Sequence, residues 1–140
     1  GIQYFVYTYE TLLGSEISYK PPAGTKTVIY KFMWLVKYHS VRPIVHTKLM
    51  LDTDEVLYAR QSITGYYNQD YRIFEWAFHI ADTEDLDIGQ VSSWDNLKTI
   101  KLICRDYSGS YQGAAHTTQN WDGGTSAQLA KPIISITAIG

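Results

Sequence analysis

Cysteine is nearly missing from this chain. Its 140 residues contain one, Cys104, so neither an intramolecular disulfide framework nor a cysteine-based zinc site is available. Net charge is nearly missing too. Twelve Lys and Arg face fourteen Asp and Glu, leaving a formal charge of -2. That balance gives no electrostatic reason to expect nucleic acid or an anionic membrane as partner. No apolar run is long enough to span a bilayer, and the N-terminus has no basic-then-apolar signal pattern. No segment carries a helical apolar stripe, so no Gly-rich loop precedes a helix to cradle a phosphate. Serines lie in turns without a nucleophile elbow. His39, His46, His79 and His116 have no metal-ligand spacing with one another. Internal repeats and low-complexity segments are absent, and the length is that of one ordinary domain.

What the chain has instead is tyrosine and tryptophan, twelve and four of them. That composition suits strands and contact surfaces. Residues 26–39 show it best. Val28, Tyr30, Phe32, Trp34, Val36 and Tyr38 fall on one side of a period-two pattern. Ile29, Lys31, Met33, Leu35, Lys37 and His39 fall on the other. Successive strand side chains point to opposite faces, so this reads as a long central strand with one wholly buried face. Such a strand needs a second sheet packed on it.

Other strands follow the same signals. Residues 3–9, 17–19, 44–51, 55–63, 71–81, 97–107, 111–120 and 131–139 read as strands. Pro21 and Pro22 break the ladder before the central strand, and the Asp-Thr-Asp turn at 52–54 makes a hairpin. Residues 65–70, 82–96, 108–110 and 121–126 read as loops. The pattern predicts an all-β fold, an antiparallel two-sheet jelly-roll sandwich, as one domain over residues 1–140. The last strand, with Ile133, Ile134, Ile136 and Ile139, is apolar on both faces. The first has Phe5, Tyr7 and Tyr9 spare if Tyr4 and Val6 point inward. These flanks predict an oligomer interface at Phe5, Tyr7, Tyr9, Ile134 and Ile136.

The strand-and-turn pattern resembles a family. It includes Pro-Pro-Ala-Gly-Thr at 21–25, the Lys-Leu-Met-Leu-Asp hairpin at 48–52 and Phe-Glu-Trp at 74–76. It ends with Asn-Trp-Asp-Gly at 120–123 and Pro-Ile-Ile-Ser-Ile-Thr-Ala-Ile at 132–139. Taken together, the chain resembles the trimeric jelly-roll heads of viral fibre and tail-fibre proteins of aquatic viruses and phages. The tumour necrosis factor and complement-type heads are their broader fold relatives. The resemblance implies a homotrimer forming the C-terminal part of a longer fibre chain, carried on a shaft at the virion surface. It implies attachment to a host cell-surface glycan or receptor, without membrane insertion, nucleic acid or enzymatic activity. It carries over no site residue.

Residue chemistry supplies the candidates. With connections alternating between the sandwich ends, residues 52–55, 82–96 and 121–127 share one end. The first strand would enter from the other, which would face the shaft. Trp94, Trp121, Asp122, Asp85 and Asp87 are then the expected ligand surface, because aromatic faces beside carboxylates suit sugar rings. A runner-up surface is Tyr66, Tyr67, Asn68, Tyr107 and Tyr111 at the opposite end, where Tyr-rich loops resemble adaptable paratopes. Asp82, Glu84, Asp85 and Asp87 offer oxygen ligands for calcium but lack the spacing and glycine of an EF-hand loop, so the expectation is no cofactor and no metal. A carboxylate pair for glycoside cleavage could be assembled from Glu75 with Asp106 or Asp122. Alternative readings are a free-standing carbohydrate-binding module, a glycan-cleaving enzyme and a capsid decoration protein without a receptor role.

Overall fold

The computed structural model describes residues 1–38, 44–65, 69–108, 112–120, 124–127 and 130–140; for 118–120 and 124–127 it describes the backbone alone. Strand β4 (Thr27–Tyr38) is the centre of the first sheet. On one flank it pairs antiparallel with β7 (Gln69–Ile80) from Thr27 to Lys37. On the other flank it pairs with β13 (Ile133–Ile139) over its first half, and with β10 (Gly113–Ala115) over its second. Strand β1 (Gln3–Tyr4) pairs with β10, and β8 (Gln90–Val91) lies parallel to the end of β7. The second sheet is built on β9 (Lys98–Asp106). It pairs with β2 (Glu10–Thr11) and β3 (Ile17–Tyr19) on one side, and with β5 (Ile44–Leu51) on the other. Strand β6 (Asp54–Thr64) closes that sheet against β5.

Pairing runs from the inside outward: β5 with β6, β4 with β7, β2 and β3 with β9, β1 with β10. Successive pairs alternate between the two sheets. A long antiparallel ribbon rolled up in this way is a jelly roll. The fold is an all-β two-sheet sandwich, antiparallel except for the two-residue β8 contact.

Alternation in β4 decides where the core lies. Val28, Tyr30, Phe32, Trp34, Val36 and Tyr38 are all buried. They meet Val45, Leu49, Ile100 and Leu102 of the facing sheet within one hydrophobic cluster. Each such aromatic or branched side chain contributes about 1.5–3 kcal/mol by leaving water. Rings meet edge-on at Phe5–Trp34 (6.2 Å), Tyr30–Phe74 (6.2 Å) and Phe78–Trp94 (5.7 Å), the arrangement that ring quadrupoles favour. The Tyr30 hydroxyl donates to the Ser15 carbonyl (2.7 Å), so its burial leaves no orphan polar group.

The structure revises three expected elements. Residues 3–9 are not one strand: β1 stops at Tyr4, and the chain crosses to the other sheet before β2. Residues 111–120 are not one strand either. Strand β10 stops at Ala115, where His116 takes a left-handed φ of 66°. The chain then pairs β11 (Thr118–Asn120), within the expected strand, with β12 (Gly124–Ala127), on the expected loop, and returns as β13. Strands β10 and β13 are therefore two halves of one sheet position, both antiparallel to β4. That halving changes the parity of the chain. Strand β13 ends beside Thr27, and β1 runs towards the end from which the first strand was expected to enter.

Candidate interaction surfaces

Register places every second residue of β4 outward from the core, and the neighbouring strands extend these positions into rows. Ile133, Met33 and Ile73 form one row; Ser135, Lys31 and Glu75 the next; Thr137, Ile29 and Ala77 the third. Leu35 pairs with Tyr71 above the first row, and Ile139 pairs with Thr27 below the third. On this outer face Tyr71 is 66% exposed, Ile73 61%, Ile133 53% and Ile139 47%. Three strands about 4.8 Å apart over the seven residues of β13 give a face of roughly 300 Å² in projection, with a polar row across its middle. Its exposed apolar residues flank that row, Tyr71, Ile73 and Ile133 on one side and Ile139 on the other, and clustered side chains of this kind suit a contact surface. The two charged residues at its centre, Lys31 and Glu75, have opposite sign and make no ion pair among the described residues.

This face differs from the expected interface in its residues. Ile134 and Ile136 are half-buried and pack against the core, because they pair with Phe32 and Tyr30 on the inward register. Ile133 and Ile139 are the outward isoleucines. Phe5 is 2% exposed and packs on Trp34, while Tyr4 and Val6 face out, the reverse of the expectation. The reason is the early end of β1: the Phe5 N–H bonds to the Gly113 carbonyl (3.0 Å) and its ring closes the core at that edge. Tyr7 is exposed in the crossing segment between the sheets, and Tyr9 lies against Lys48 of the second sheet. Neither belongs to the apolar strip.

The second surface is a cleft at the sandwich end that carries the 52–53 turn. Its volume is 480 Å³, within the size range of small-molecule sites. One wall is the Pro21–Thr25 segment, where Gly24 takes a φ of 85° and Thr25 bonds back to the Pro22 carbonyl. The other wall is Ser92, Ser93, Trp94 and Asp95, and exposed Lys20 stands at the rim. Trp94 was expected as an exposed stacking face. It is instead 3% exposed, edge-on to Phe78 and Tyr19, and its indole N–H donates to the Tyr19 carbonyl (2.9 Å). It plugs the end of the sandwich and gives the cleft only an edge.

The remaining candidates separate. Asp85 precedes a 3-10 turn at Leu86–Ile88, and Asp85 and Asp87 are exposed. Among the described residues no group of three or more His, Cys, Asp or Glu is arranged to hold a metal. Trp121 and Asp122 lie outside the described residues, as do Tyr66, Tyr67, Asn68, Tyr111 and His39. Tyr107 is exposed at the other end, next to β9. Glu75 is on the outer strip, whereas Asp106 is buried on the inner side of the other sheet, so they cannot flank one bond. Cys104 is buried, and burial pushes its thiol up to about 12, far from a reactive thiolate.

No protein-family model matches the chain, and no curated protein matches it. Among the described residues no helix is long and apolar enough to cross a membrane.

Proposed function

We propose that this domain is the head of a viral or phage fibre, assembling as a homotrimer and attaching to a host-surface glycan or receptor. The observation that supports this reading is the outward strip of β7, β4 and β13. Its isoleucines and tyrosine stand in water on an isolated protomer, although the opposite face of β4 is wholly buried and those of β7 and β13 pack against the core. A second copy removes that apolar area from water, and Lys31 of one copy can neutralise Glu75 of the next. Association of this kind gives multivalency: several weak sites on one rigid head bind far more tightly than one. The resemblance of the strand pattern to trimeric fibre heads points the same way.

Light scattering on the purified chain at micromolar concentration tests this. The expected mass is three times that of the 16.0 kDa protomer. A monomer at that concentration overturns the assembly. The 480 Å³ cleft favours a second reading, a free-standing carbohydrate-binding module. A monomer that binds neutral oligosaccharides through the cleft would select it.

A further inference from the structure

We propose that the outer face of the second sheet carries a binding site for an acidic saccharide, one bearing a carboxylate or a sulfate group. Register builds this site. His46 of β5 lies beside Arg105 of β9 on one side and Ser62 of β6 on the other. Its Nδ1 and the Ser62 hydroxyl are 2.9 Å apart. Lys48 is two residues along on the same outward face. The β5–β6 register shifts between Thr47 and Leu49, so the partner strand bulges there. The bulge brings Arg60 back onto Glu55, with Nε and Nη2 donating to its two oxygens at 2.6 and 2.9 Å. Tyr9, from the segment crossing between the sheets, supplies the floor. Lys48 Nζ lies 4.3 Å from its ring centre and the Arg105 guanidinium carbon 5.7 Å.

Beside these groups is a depression of 270 Å³, lined by Tyr9, His46, Thr47, Arg60, Gln61 and Ser62, with Lys48 and Arg105 adjoining it through the Tyr9 ring. That is space for about one sugar ring. Lys48, Arg60 and Arg105 are permanently charged, and Glu55 is the one carboxylate ion-paired within the cluster. Positive charge thus collects here on a chain whose formal total is -2. A local excess of cations steers and holds an anion, and guanidinium and ammonium donors make strong charge-assisted hydrogen bonds to carboxylate or sulfate oxygens. Gln61, Ser62 and His46 add donors and acceptors suited to hydroxyls, and the lining contains no large aliphatic side chain. Three cations make too short a track for a nucleic acid strand, whose binding rests on many phosphate contacts. This face is on the opposite side of the sandwich from the apolar strip, so it stays open whether or not copies associate.

Calorimetric titration of the intact chain with 3′-sialyllactose, a sulfated heparin disaccharide and neutral lactose tests the site. One or both acidic probes bind and lactose does not. Binding of the sialylated probe alone assigns a carboxylate ligand, and of the sulfated probe alone a sulfate ligand. Lys48→Gln and Arg60→Gln each weaken the bound probe by about ten-fold, with circular dichroism and melting temperature retained. Tyr9→Leu, which changes no charge, weakens it as well. Lys131→Gln, elsewhere on the chain, leaves it unchanged. Three results overturn the proposal: no binding of either acidic probe at roughly 10 mM, binding that ignores the Lys48 and Arg60 variants, or equal binding of a single-stranded oligonucleotide.

Discussion

Asp106 is the only carboxylate in the buried set among the described residues. It accepts a hydrogen bond from the Gly113 N–H at 3.2 Å, and burial pushes its pKa up to about 6. A carboxyl whose folded value is raised stabilises the fold fully below its unfolded value near 3.8, and that contribution is lost as pH rises through about 6. His46 and His116 act in the other direction. Burial lowers both, with Arg105 also disfavouring the His46 cation, so their contribution is present above 6.5 and lost as pH falls through the depressed values. His116 is the more constrained. Its Nε2 bonds to the Leu13 carbonyl at 2.6 Å, while its buried Nδ1 has no partner among the described residues. The two effects oppose each other in the mildly acid range. Asp106→Asn keeps an acceptor for Gly113 and removes the buried charge. It is expected to raise stability at pH 7–8 by roughly 1–3 kcal/mol. Its melting temperature falls more steeply on acidification than that of the parent chain, since only the histidine effect remains. Calorimetric melting at a series of pH values checks both outcomes. That Asp106 faces inward was legible from its alternation with Leu102 and Cys104. That no ion pair meets it among the described residues was not, because the facing residues come from distant segments.

At the scale of elements, the long strands were legible and the interrupted ones were not. Strands β4, β5, β7 and β9 each follow period two for eight residues or more, so their faces can be read locally, whereas β6 loses that period at its bulge. The first and last strand positions are each split by a departure from the sheet: β2 and β3 around Ser15, β10 and β13 around the 116–132 excursion. A two- or three-residue strand has too few alternations to be seen, and tertiary pairing with β9 or β4 is what makes it a strand. The hairpin turn shows how local chemistry fixes register. Asp52 takes a φ of 54°, where Asn and Asp are tolerated better than other side chains. Its Oδ1 accepts from the Thr99 N–H and its own N–H donates to the Thr99 carbonyl, both at 2.8 Å. Asp52→Ala loses the acceptor and strains the backbone, a cost of about 1–3 kcal/mol. Asp52→Asn retains both features and stays within about 0.5 kcal/mol, since the 3.9 Å contact to Lys98 is a surface pair of small worth. Denaturant unfolding of the two variants distinguishes them.

For the whole molecule, the decisive feature is the contrast between the two faces of the first sheet. One fills the sandwich, and the other leaves isoleucine and tyrosine in water. Ile73→Asp combined with Ile133→Asp places like charges in one row of that strip. The pair is expected to convert the proposed assembly to monomers in light scattering, with the monomer's circular dichroism unchanged, because neither side chain belongs to the core. Unfolding by the same pair would mean that the row supports the protomer itself. The sequence alone determined the all-β class, the central strand and its buried face, because alternation is a property of neighbours along one strand. Only the tertiary structure decided which isoleucines of the last strand face outward, that Phe5 and Trp94 are interior, and that Tyr9 meets Lys48 and Arg105. Those outcomes depend on which strand lies alongside and where each short strand stops, and both are set by partners far away in the chain.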